Sequence, residues 1–495
     1  MQTGTDHFDV VIVGFGPTGA TLALLLSHYN VRTLILDKEA DIYPLPRAVH
    51  FDDEIMRVFQ NIQIAEDLEA HLHINPGMRF VDRNGDLLLD WPRPKQITEQ
   101  GWNASYRFHQ PDLERLLRKK ISENSLINVQ TECNVMNIEQ AEDCARITYF
   151  DKVKRCEFFV FSEYVVGCDG SNSFAREKLC TNIENFGFQQ RWLVVDALLR
   201  NSMPELGDHT LQYCDPERPV TYCRNPGLRR RWEIAIGEES YDDDIIDNSC
   251  LWQTLSQWIT PQDAIIERTA IYKFRSIIAN RWQRGRLLIA GDAAHLMPPF
   301  MGQGMCAGIR DAANLGWKLA YCIKNGHNGM LLESYEEERI PHVKEYILTA
   351  VSLGELICSA TPMHDLKKLK NKNSTNGAMQ SLTPALGKSK IFKNIEKRKL
   401  GSGVLFGQPT LFTGQKMDDV YPYQAVLVSS QFIQTDTCPV ISPHNSPAVD
   451  QMLRTLKAHS VLIRPDRYML AIAKNAEETL AISSSDTMQR CFFEV

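Results

Sequence analysis

The sequence predicts an α/β protein in which a Rossmann-like dinucleotide-binding domain is combined with a β-rich domain and a small C-terminal α/β domain. Three observations lead to this prediction. A glycine turn joins a strand to a helix near the N-terminus, two later turns of aspartate and glycine end apolar strands, and a run of short strand-like segments separates those two turns.

The glycine turn follows an apolar, β-branched run at residues 10–13, which is typical of a parallel strand buried on both faces. Gly14, Gly16 and Gly19 come next, and a helix-like run continues from them. Gly14 permits a tight turn, Gly16 lets the backbone approach a pyrophosphate, and Gly19 lets the helix pack on the strand. The free N–H groups and the dipole at the start of that helix favour an anion.

A second apolar run at residues 31–36 ends in Asp37, roughly 20 residues beyond the glycines. An acidic side chain at this place can hold a ribose hydroxyl. Strand, glycines, helix, second strand and acid together predict a dinucleotide site. The pattern alone leaves open whether the dinucleotide is FAD or NAD.

A stiff proline loop after the second strand carries Arg47 and His50, and Asp52 or Asp53 can cap the helix that follows. Arg47 is a candidate for the pyrophosphate, with a solvated surface charge as the alternative. His50 is a candidate catalytic residue, with a structural role as the alternative. Gln110 stands at the entrance of a later helix.

The two later turns also follow apolar strands and precede helices. Asp169 begins the first of them, and Asp292 belongs to the second, which leads into a loop containing Pro298. The helix after that loop is opened by Gly302, Gln303, Gly304 and Met305. A helix that begins on bare backbone amides directs a positive dipole end at an electron-rich group.

Residues 186–280 change character and contain several short strand-like runs with turns between them. Aromatic side chains, among them Tyr213, suit the wall of a substrate pocket, although ordinary sheet packing explains them equally well. Residues 359–399 are polar and rich in lysine, which indicates a linker. Alternating strand-like pieces, including residues 461–468, then predict a small α/β domain.

Composition excludes several classes of protein. A net charge of −7 over 495 residues argues against nucleic-acid binding, and no apolar run approaches the roughly 20 residues that span a bilayer. The N-terminus has no signal-peptide pattern, so we expect a cytoplasmic protein. The 13 cysteines include no C-x-x-C motif and no Cys/His cluster, so neither a metal site nor a redox pair is predicted.

The glycine turn with its acid and the two aspartate turns, in this order, resemble the single-component FAD-dependent aromatic hydroxylases with the para-hydroxybenzoate hydroxylase fold. The resemblance covers about residues 7 to 350. Residues 46–54, 212–219 and 229–233 look like the subgroup that includes 3-(3-hydroxyphenyl)propionate hydroxylase.

This resemblance implies a division of the chain. It predicts a discontinuous FAD-binding domain at 1–75, 104–182 and 283–358, a β-rich substrate domain at 76–103 and 183–282, a linker at 359–400 and a thioredoxin-like domain at 401–495. The last of these has no C-x-x-C, so a redox role for it is not expected.

The resemblance also implies roles for the site residues. Gly14, Gly16, Gly19 and Asp37 would hold the ADP half of FAD, although the family usually has Glu where Asp37 stands. Arg47 would reach the pyrophosphate, Gln110 the flavin and Asp292 the ribityl chain. Asp169 would lie near the nucleotide, and Pro298 with Gly302, Gln303, Gly304 and Met305 would lie against the isoalloxazine.

The implied activity is the hydroxylation of a phenolic aromatic substrate with O2 and NADH or NADPH, through a flavin C4a-hydroperoxide, by a homodimer. His50, whose pKa lies ordinarily near neutrality, would be the base that ionises the phenol, and Tyr213 is the second catalytic candidate. A reductase or dehydrogenase of the same fold, without oxygen insertion, is the alternative enzyme. A flavin-binding interaction protein is the alternative outside enzymes.

Overall fold

The structure is a computed structural model that describes residues 7–237, 248–358, 374–375, 378–395, 403–435 and 437–483. Much of the predicted linker therefore lies outside the described residues. The domain boundaries stay predictions, and the elements below are given by their own limits.

A mixed sheet of eight strands forms the centre of the N-terminal part. Its strands lie in the order Gln283–Arg284, Leu287–Ile289, Cys156–Gly167, His7–Val13, Thr33–Leu36 and Ile127–Gln130, and Ala145–Asp151 pairs with both Cys156–Gly167 and Cys133–Gln140. The first strand of the chain is parallel to both its neighbours, with Val11 opposite Leu34 and Val165. All three side chains are fully buried, which confirms the α/β fold class predicted from the apolar runs.

Helices pack on this sheet and on one another. They are Pro17–Ser27, Asp53–Asn61, Ala65–Glu69, Gln110–Ser122, Phe174–Leu179, Gly304–Asn325 and Gly329–Ile357. Asp52 caps the second of them, because its Oδ1 accepts a hydrogen bond from Ile55 N at 3.2 Å, as the sequence predicted. None of the helices in the described ranges is both long enough and apolar enough to cross a lipid bilayer.

A second sheet of seven strands is built from two separate stretches of the chain. Its strands lie in the order Ala264–Phe274, Gln190–Leu199, Arg229–Ile236, Val220–Arg224, Thr210–Tyr213, Gly77–Val81 and Leu87–Pro92. One face packs on the helix Asn248–Leu255 through side chains such as Leu193 and Val195. The other face carries Trp192 and packs on Phe300 of the N-terminal part.

Smaller elements complete this part of the chain. One three-stranded sheet joins His50–Asp52, Ser105–Arg107 and His73–Ile74, and another joins Ile183–Asn185, Ile277–Ala279 and His295–Leu296. Short 3-10 helices lie at Pro204–Leu206, Gly291–Ala293 and Pro299–Met301, and a strand pair lies at Ser374–Thr375 and Ala378–Met379.

The C-terminal part has a four-stranded sheet in the order Val440–Ile441, Val426–Ser429, Ser460–Ile463 and Met469–Ala473. The first two strands are parallel and the others antiparallel, and the helices of this part of the chain are Lys390–Ile395, Met417–Val420, Ala448–Thr455 and Ala476–Ser483. The thioredoxin-like assignment stays a prediction. The strand expected at 461–468 ends at Ile463, because Arg464 N bonds to Tyr468 O at 3.0 Å and closes a hairpin turn.

The tip of this hairpin is inserted into a buried ionic cluster on the helix Gly329–Ile357. Glu338 Oε2 accepts hydrogen bonds from Lys318 Nζ at 2.8 Å and from Arg464 Nη2 at 2.9 Å, and Ser389 donates to its Oε1 at 2.9 Å. Burial alone would raise the pKa of Glu338, but the two cations overcome that effect and lower it to about 2. The cluster therefore ties the C-terminal part to the central helices.

Replacing Glu338 by Gln should lower the free energy of unfolding by roughly 3 to 5 kcal/mol, because the charges of Lys318 and Arg464 lose their shared buried partner. The matched control is Glu333→Gln on the same helix, whose pair with Lys390 is half exposed and should contribute about 1 kcal/mol or less. Urea unfolding of both variants measures the two losses. Equal small losses would show that the buried cluster does not stabilise the fold.

Candidate functional site

The predicted glycine turn lies where three parallel strands end. Gly14 N donates to Leu36 O at 2.8 Å, and Cys168 N donates to Val13 O at 2.7 Å. Gly14 has φ +109°, and a Cβ added to it would lie 2.3 Å from Cys168 O, so only glycine fits. The turn therefore brings Gly14, Asp37 and Asp169 to one edge of the sheet, the edge at which open α/β sheets bind ligands.

The helix Pro17–Ser27 begins at this turn with its N-terminus open. Gly16 is its N-cap, no side chain caps it, and its first turn contains no acidic residue. A Cβ added to Gly16 would meet no atom within 4 Å, whereas one added to Gly19 would lie 2.2 Å from Gly14 O. The space over Gly16 and the unpaired N–H groups fit a phosphate group of a dinucleotide.

Asp37 is anchored beside this space by two backbone groups. Its Oδ2 accepts from Phe15 N at 2.5 Å and its Oδ1 accepts from Glu39 N at 2.8 Å. Each carboxylate oxygen keeps a further lone pair, so the half-buried side chain can still accept a ribose hydroxyl.

The Asp292 loop is held from both sides. Asp311 Oδ2 accepts from Gly291 N at 3.0 Å, and Arg176 Nη1 donates to Ala293 O at 2.9 Å. The Asp292 side chain itself stays accessible, yet the protein around it displaces enough water to raise the pKa of its carboxyl. This combination places Asp292 in the wall of a cleft.

The Asp169 side chain forms its hydrogen bonds within its own turn. Its Oδ1 accepts from Ser173 Oγ at 2.5 Å and its Oδ2 accepts from Ala175 N at 3.1 Å. The side chain therefore organises the start of the helix Phe174–Leu179, and the space above Gly170 is open to a ligand.

A second open helix N-terminus lies at Gly304. Pro298 is buried before the short 3-10 turn, Gly302 has φ +63°, and Met305 is half-buried. The helix Gly304–Asn325 has no side-chain cap and no acidic residue in its first turn, and a Cβ added to Gly304 would meet nothing within 4 Å. This helix start can stabilise an electron-rich edge.

Gln303 does not point into that open space. Its side chain is buried, with Nε2 donating to Asp52 at 3.1 Å and Oε1 accepting from Arg310 at 3.0 Å. Gln303 therefore fixes the loop that Gly302 and Gly304 form.

Two side chains hold the proline loop by hydrogen bonds to its backbone. Gln110 Oε1 accepts from Arg47 N at 3.1 Å and from Ala48 N at 2.7 Å. Arg231 donates to Arg47 O at 2.9 Å and to Pro46 O at 2.5 Å. The Arg47 guanidinium is exposed and lies over a tyrosine ring, 4.4 Å from its centroid, so it is free to turn toward an anion.

His50 is buried between this loop and the Gly302 loop. Its Nε2 lies 2.8 Å from Ser105 Oγ, and its Nδ1 lies 3.5 Å from Gly302 O. Asn75 Nδ2 donates to Ser105 Oγ at 3.0 Å, which leaves the serine proton for His50 Nε2 and assigns the ring proton to Nδ1. Burial first, and then the charges of Arg107 and Arg93, lower the pKa of His50 to about 3 rather than leaving it near neutrality.

Tyr213 is not brought together with the other candidates. Its hydroxyl accepts from Trp258 Nε1 at 2.9 Å, and the two rings lie edge to face with centroids 5.4 Å apart. Because side chains alternate along a strand, the adjacent Cys214 lies on the opposite face, which packs on Phe300. Tyr213 thus lies on the face of the second sheet away from His50.

Sequence reasoning missed two arginines near His50, of which Arg107 is buried and Arg93 is half-buried. Arg107 lies opposite His50 in the small sheet and donates to Thr210 Oγ1, and Arg93 donates to Ser381 Oγ at 3.1 Å. The Nε of each is buried without a partner, and no carboxylate of the described residues lies within salt-bridge distance of either. The strand Ser105–Arg107 is too short to show an alternation that would have identified Arg107. No three potential metal ligands cluster among the described residues.

Comparison with known proteins fits this geometry. Residues 7–350 match the model of a family described as FAD binding domain. A probable NADH-specific resorcinol 4-hydroxylase of Rhodococcus jostii (strain RHA1) is 35% identical over 355 residues, which are 71% of this chain and 66% of that protein. A 3-(3-hydroxy-phenyl)propionate/3-hydroxycinnamic acid hydroxylase of Burkholderia cenocepacia (strain HI2424) is 33% identical over 356 residues, 71% of this chain and 64% of that protein. The matches thus span slightly less than two thirds of these relatives.

Known structures share the fold. The flavin-dependent monooxygenase PieE, in complex with FAD and substrate, has a TM-score of 0.81 at 18% identity over 99% of this chain and all of that one. The p-nitrophenol 4-monooxygenase PnpA from Pseudomonas putida DLL-E4 has a TM-score of 0.68 at 18% identity over 75% of this chain and 95% of that one. These likenesses confirm the predicted fold of the FAD-binding part.

The lowered pKa of His50 predicts how stability depends on pH. Because the folded pKa is about 3 and the ordinary value is 6.5, protons bind the unfolded chain preferentially, and stability is lost as pH falls from about 6.5 toward 3. Between pH 7 and pH 5, the free energy of unfolding should fall by about 2 kcal/mol less in His50→Asn than in the wild type. Asn75→Ala, which changes the same network without a titrating group, should leave the pH slope unaltered. Urea unfolding at several pH values checks both, and identical slopes for wild type and His50→Asn would contradict the prediction.

Proposed function

Because the chain belongs to the FAD-binding family whose model matches residues 7–350, we propose that it is an FAD-dependent, NADH-consuming monooxygenase that hydroxylates a phenolic aromatic compound. The observation that carries this proposal is the polar group formed by His50, Ser105 and Arg107. It lies against the Gly302 loop, carries a buried positive charge, and contains a neutral imidazole. A phenol that ionises during reaction requires such surroundings.

The cofactor would be held by residues that the structure leaves accessible. Gly14, Gly16, Gly19 and Asp37 would hold the ADP half, Arg47 would turn to the pyrophosphate, and Asp292 would bind the ribityl hydroxyls. Pro298, Gly302, Gly304 and Met305 would lie along the isoalloxazine, while Gln110, Asp169 and Gln303 keep the loops in place. Bound FAD supplies the two-electron chemistry and the activation of O2.

The residues of this chain would ionise the phenol. Arg107 favours the phenolate electrostatically, since no carboxylate of the described residues lies within salt-bridge distance of its guanidinium. Ser105 Oγ, which is oriented by His50 Nε2 and Asn75 Nδ2, keeps a lone pair that can accept a hydrogen bond from the phenol, whereas an imidazole with a pKa of about 3 would not retain the phenolic proton. Tyr213 takes no part in this proposal, because it lies on the other face of the sheet.

The relatives support the class of reaction. Their names state resorcinol, hydroxyphenylpropionate and hydroxycinnamate as substrates and NADH as the reductant of one of them. NADPH is the alternative reductant for this chain. The homodimer and the cytoplasmic location expected from the sequence are part of the proposal and rest on the family resemblance and the composition.

Isotope labelling distinguishes the monooxygenase from the reductase. With FAD, NADH and ¹⁸O2, resorcinol or 3-(3-hydroxyphenyl)propionate should stimulate NADH oxidation, and one ¹⁸O atom should appear in the product. Mass spectrometry of the product measures the label, and H2¹⁸O with unlabelled O2 is the control. NADH oxidation that leaves every phenolic product unlabelled would instead establish the reductase.

The role of Arg107 predicts a pH-dependent defect. Arg107→Met should reduce kcat/KM on the order of 10²-fold at pH 7, and the loss should shrink as pH approaches the phenol's own pKa, because the substrate then arrives ionised. Arg115→Met, at an exposed position on the helix Gln110–Ser122, is the matched control and should behave like wild type. Steady-state pH–rate profiles of both variants and the wild type measure this defect. A loss of kcat/KM that is constant with pH would exclude phenolate stabilisation by Arg107.

A further inference from the structure

The hairpin tip of the C-terminal part places one hydroxyl between two buried networks. Tyr468 is 4% exposed, and its Oη donates to Glu54 Oε1 at 2.8 Å and lies 3.3 Å from His342 Nε2. Glu54 and His342 belong to different helices of the N-terminal part, Asp53–Asn61 and Gly329–Ile357. Each of them begins a chain of hydrogen bonds that ends at a loop of the cofactor site.

The first chain runs to the Gly302 loop. Glu54 Oε2 accepts from Arg310 Nε at 2.5 Å, and the same guanidinium donates to Asp52 Oδ2 at 2.6 Å and to Gln303 Oε1 at 3.0 Å. Asp52 follows His50 by two residues, and Gln303 lies between the glycines at the helix start. Arg310 therefore fixes the loop that would face the isoalloxazine.

The second chain runs to the Asp292 loop. His342 Nδ1 lies 2.6 Å from Arg339 Nη1, and Arg339 Nε donates to Asp311 Oδ1 at 2.8 Å. The other oxygen of Asp311 accepts from Gly291 N at 3.0 Å. The side chains of His342, Arg339 and Asp311 thus connect Tyr468 to the backbone that carries Asp292.

The donor and acceptor roles in these hydrogen bonds determine where the protons of His342 and Tyr468 lie. A guanidinium only donates, so His342 Nδ1 accepts from Arg339 and the ring proton is on Nε2. Nε2–H then faces both Tyr468 Oη, at 3.3 Å, and the backbone carbonyl of Pro384, and the Tyr468 proton goes to Glu54. Burial, Arg339 and Arg310 lower the pKa of His342, and a neutral ring agrees with this assignment. Only a group that both accepts and donates at this point completes the two chains.

We propose that Tyr468 is a positioning residue of the cofactor site, through which the C-terminal hairpin sets the spacing between the Asp292 loop and the Gly302 loop. The inference rests on the proposed function only in taking these loops as the FAD site. It gives the C-terminal part a role in cofactor binding without any contact of its own with the cofactor.

The test compares Tyr468→Phe with Tyr423→Phe. Tyr423 is the matched control, because it is a buried tyrosine of the same C-terminal part whose hydroxyl donates to Ala313 O at 2.6 Å and accepts from Trp317 N at 3.0 Å, within the helix Gly304–Asn325 and away from both loops. Both variants lose one buried hydroxyl, and both should lower Tm. Tyr468→Phe alone should weaken FAD binding about five- to fiftyfold and shift the flavin absorption spectrum and reduction potential.

The measurements are FAD titration by fluorescence quenching, the flavin spectrum and potential, and Tm, none of which depends on hydroxylation. His342→Leu, which has no group to accept from Arg339 or to donate to Tyr468, is a second variant that should show the same loss of FAD affinity. Wild-type FAD affinity and spectrum in Tyr468→Phe or in His342→Leu would overturn the proposal. A wild-type protein that binds FAD but inserts no oxygen would overturn only the proposed reaction.

Discussion

The loops of the candidate site depend on buried ion pairs, and the pairs of Arg310 with Asp52 and Glu54 are the most central of them. These loops have little regular secondary structure, so their geometry must come from side chains that bind them. A buried charge is costly unless its partners have near-ideal geometry, and losing one partner costs several kcal/mol. This sensitivity makes Arg310 a precise anchor, since only one placement of Asp52, Glu54 and Gln303 satisfies its three nitrogens. Preorganised loops bind a cofactor without first having to be ordered.

The same principle explains why arginines of the second sheet reach into the N-terminal part. The proline loop has carbonyl groups that no strand or helix satisfies, and buried backbone groups require partners. Arg231 supplies donors to Pro46 O and Arg47 O, and Asp196 compensates its charge at 2.7 Å. The second sheet therefore does more than cover the site. It also holds the loop that carries Arg47 and His50.

Sequence reasoning succeeded where a property is local. The turn at Gly14, the cap at Asp52 and the open helix start at Gly304 follow from residues a few positions apart, and the structure has all three. The face of a sheet on which a side chain lies, and the extent to which the side chain is buried, are not local properties. Tyr213 lies away from His50 because strand register decides which face it occupies, and the pKa of His50 is lowered by burial and by Arg107 and Arg93, which are distant in sequence. The bond between Tyr468 and Glu54 spans 414 positions and leaves no pattern along the chain.

The distribution of charge around the site suggests how these parts act together. Three buried acids near the loops are paired with cations, Asp52 and Glu54 with Arg310 and Asp311 with Arg339, so these three add little negative potential where the cofactor and the phenol would lie. Two uncapped helix N-termini and the arginines near His50 contribute positive potential there. An oxidised, neutral ring gains little from such surroundings, whereas a phenolate and a reduced, anionic flavin gain much. The fold thus combines neutralised acids, which fix the loops, with uncompensated positive charge, which favours the anions that aromatic hydroxylation requires.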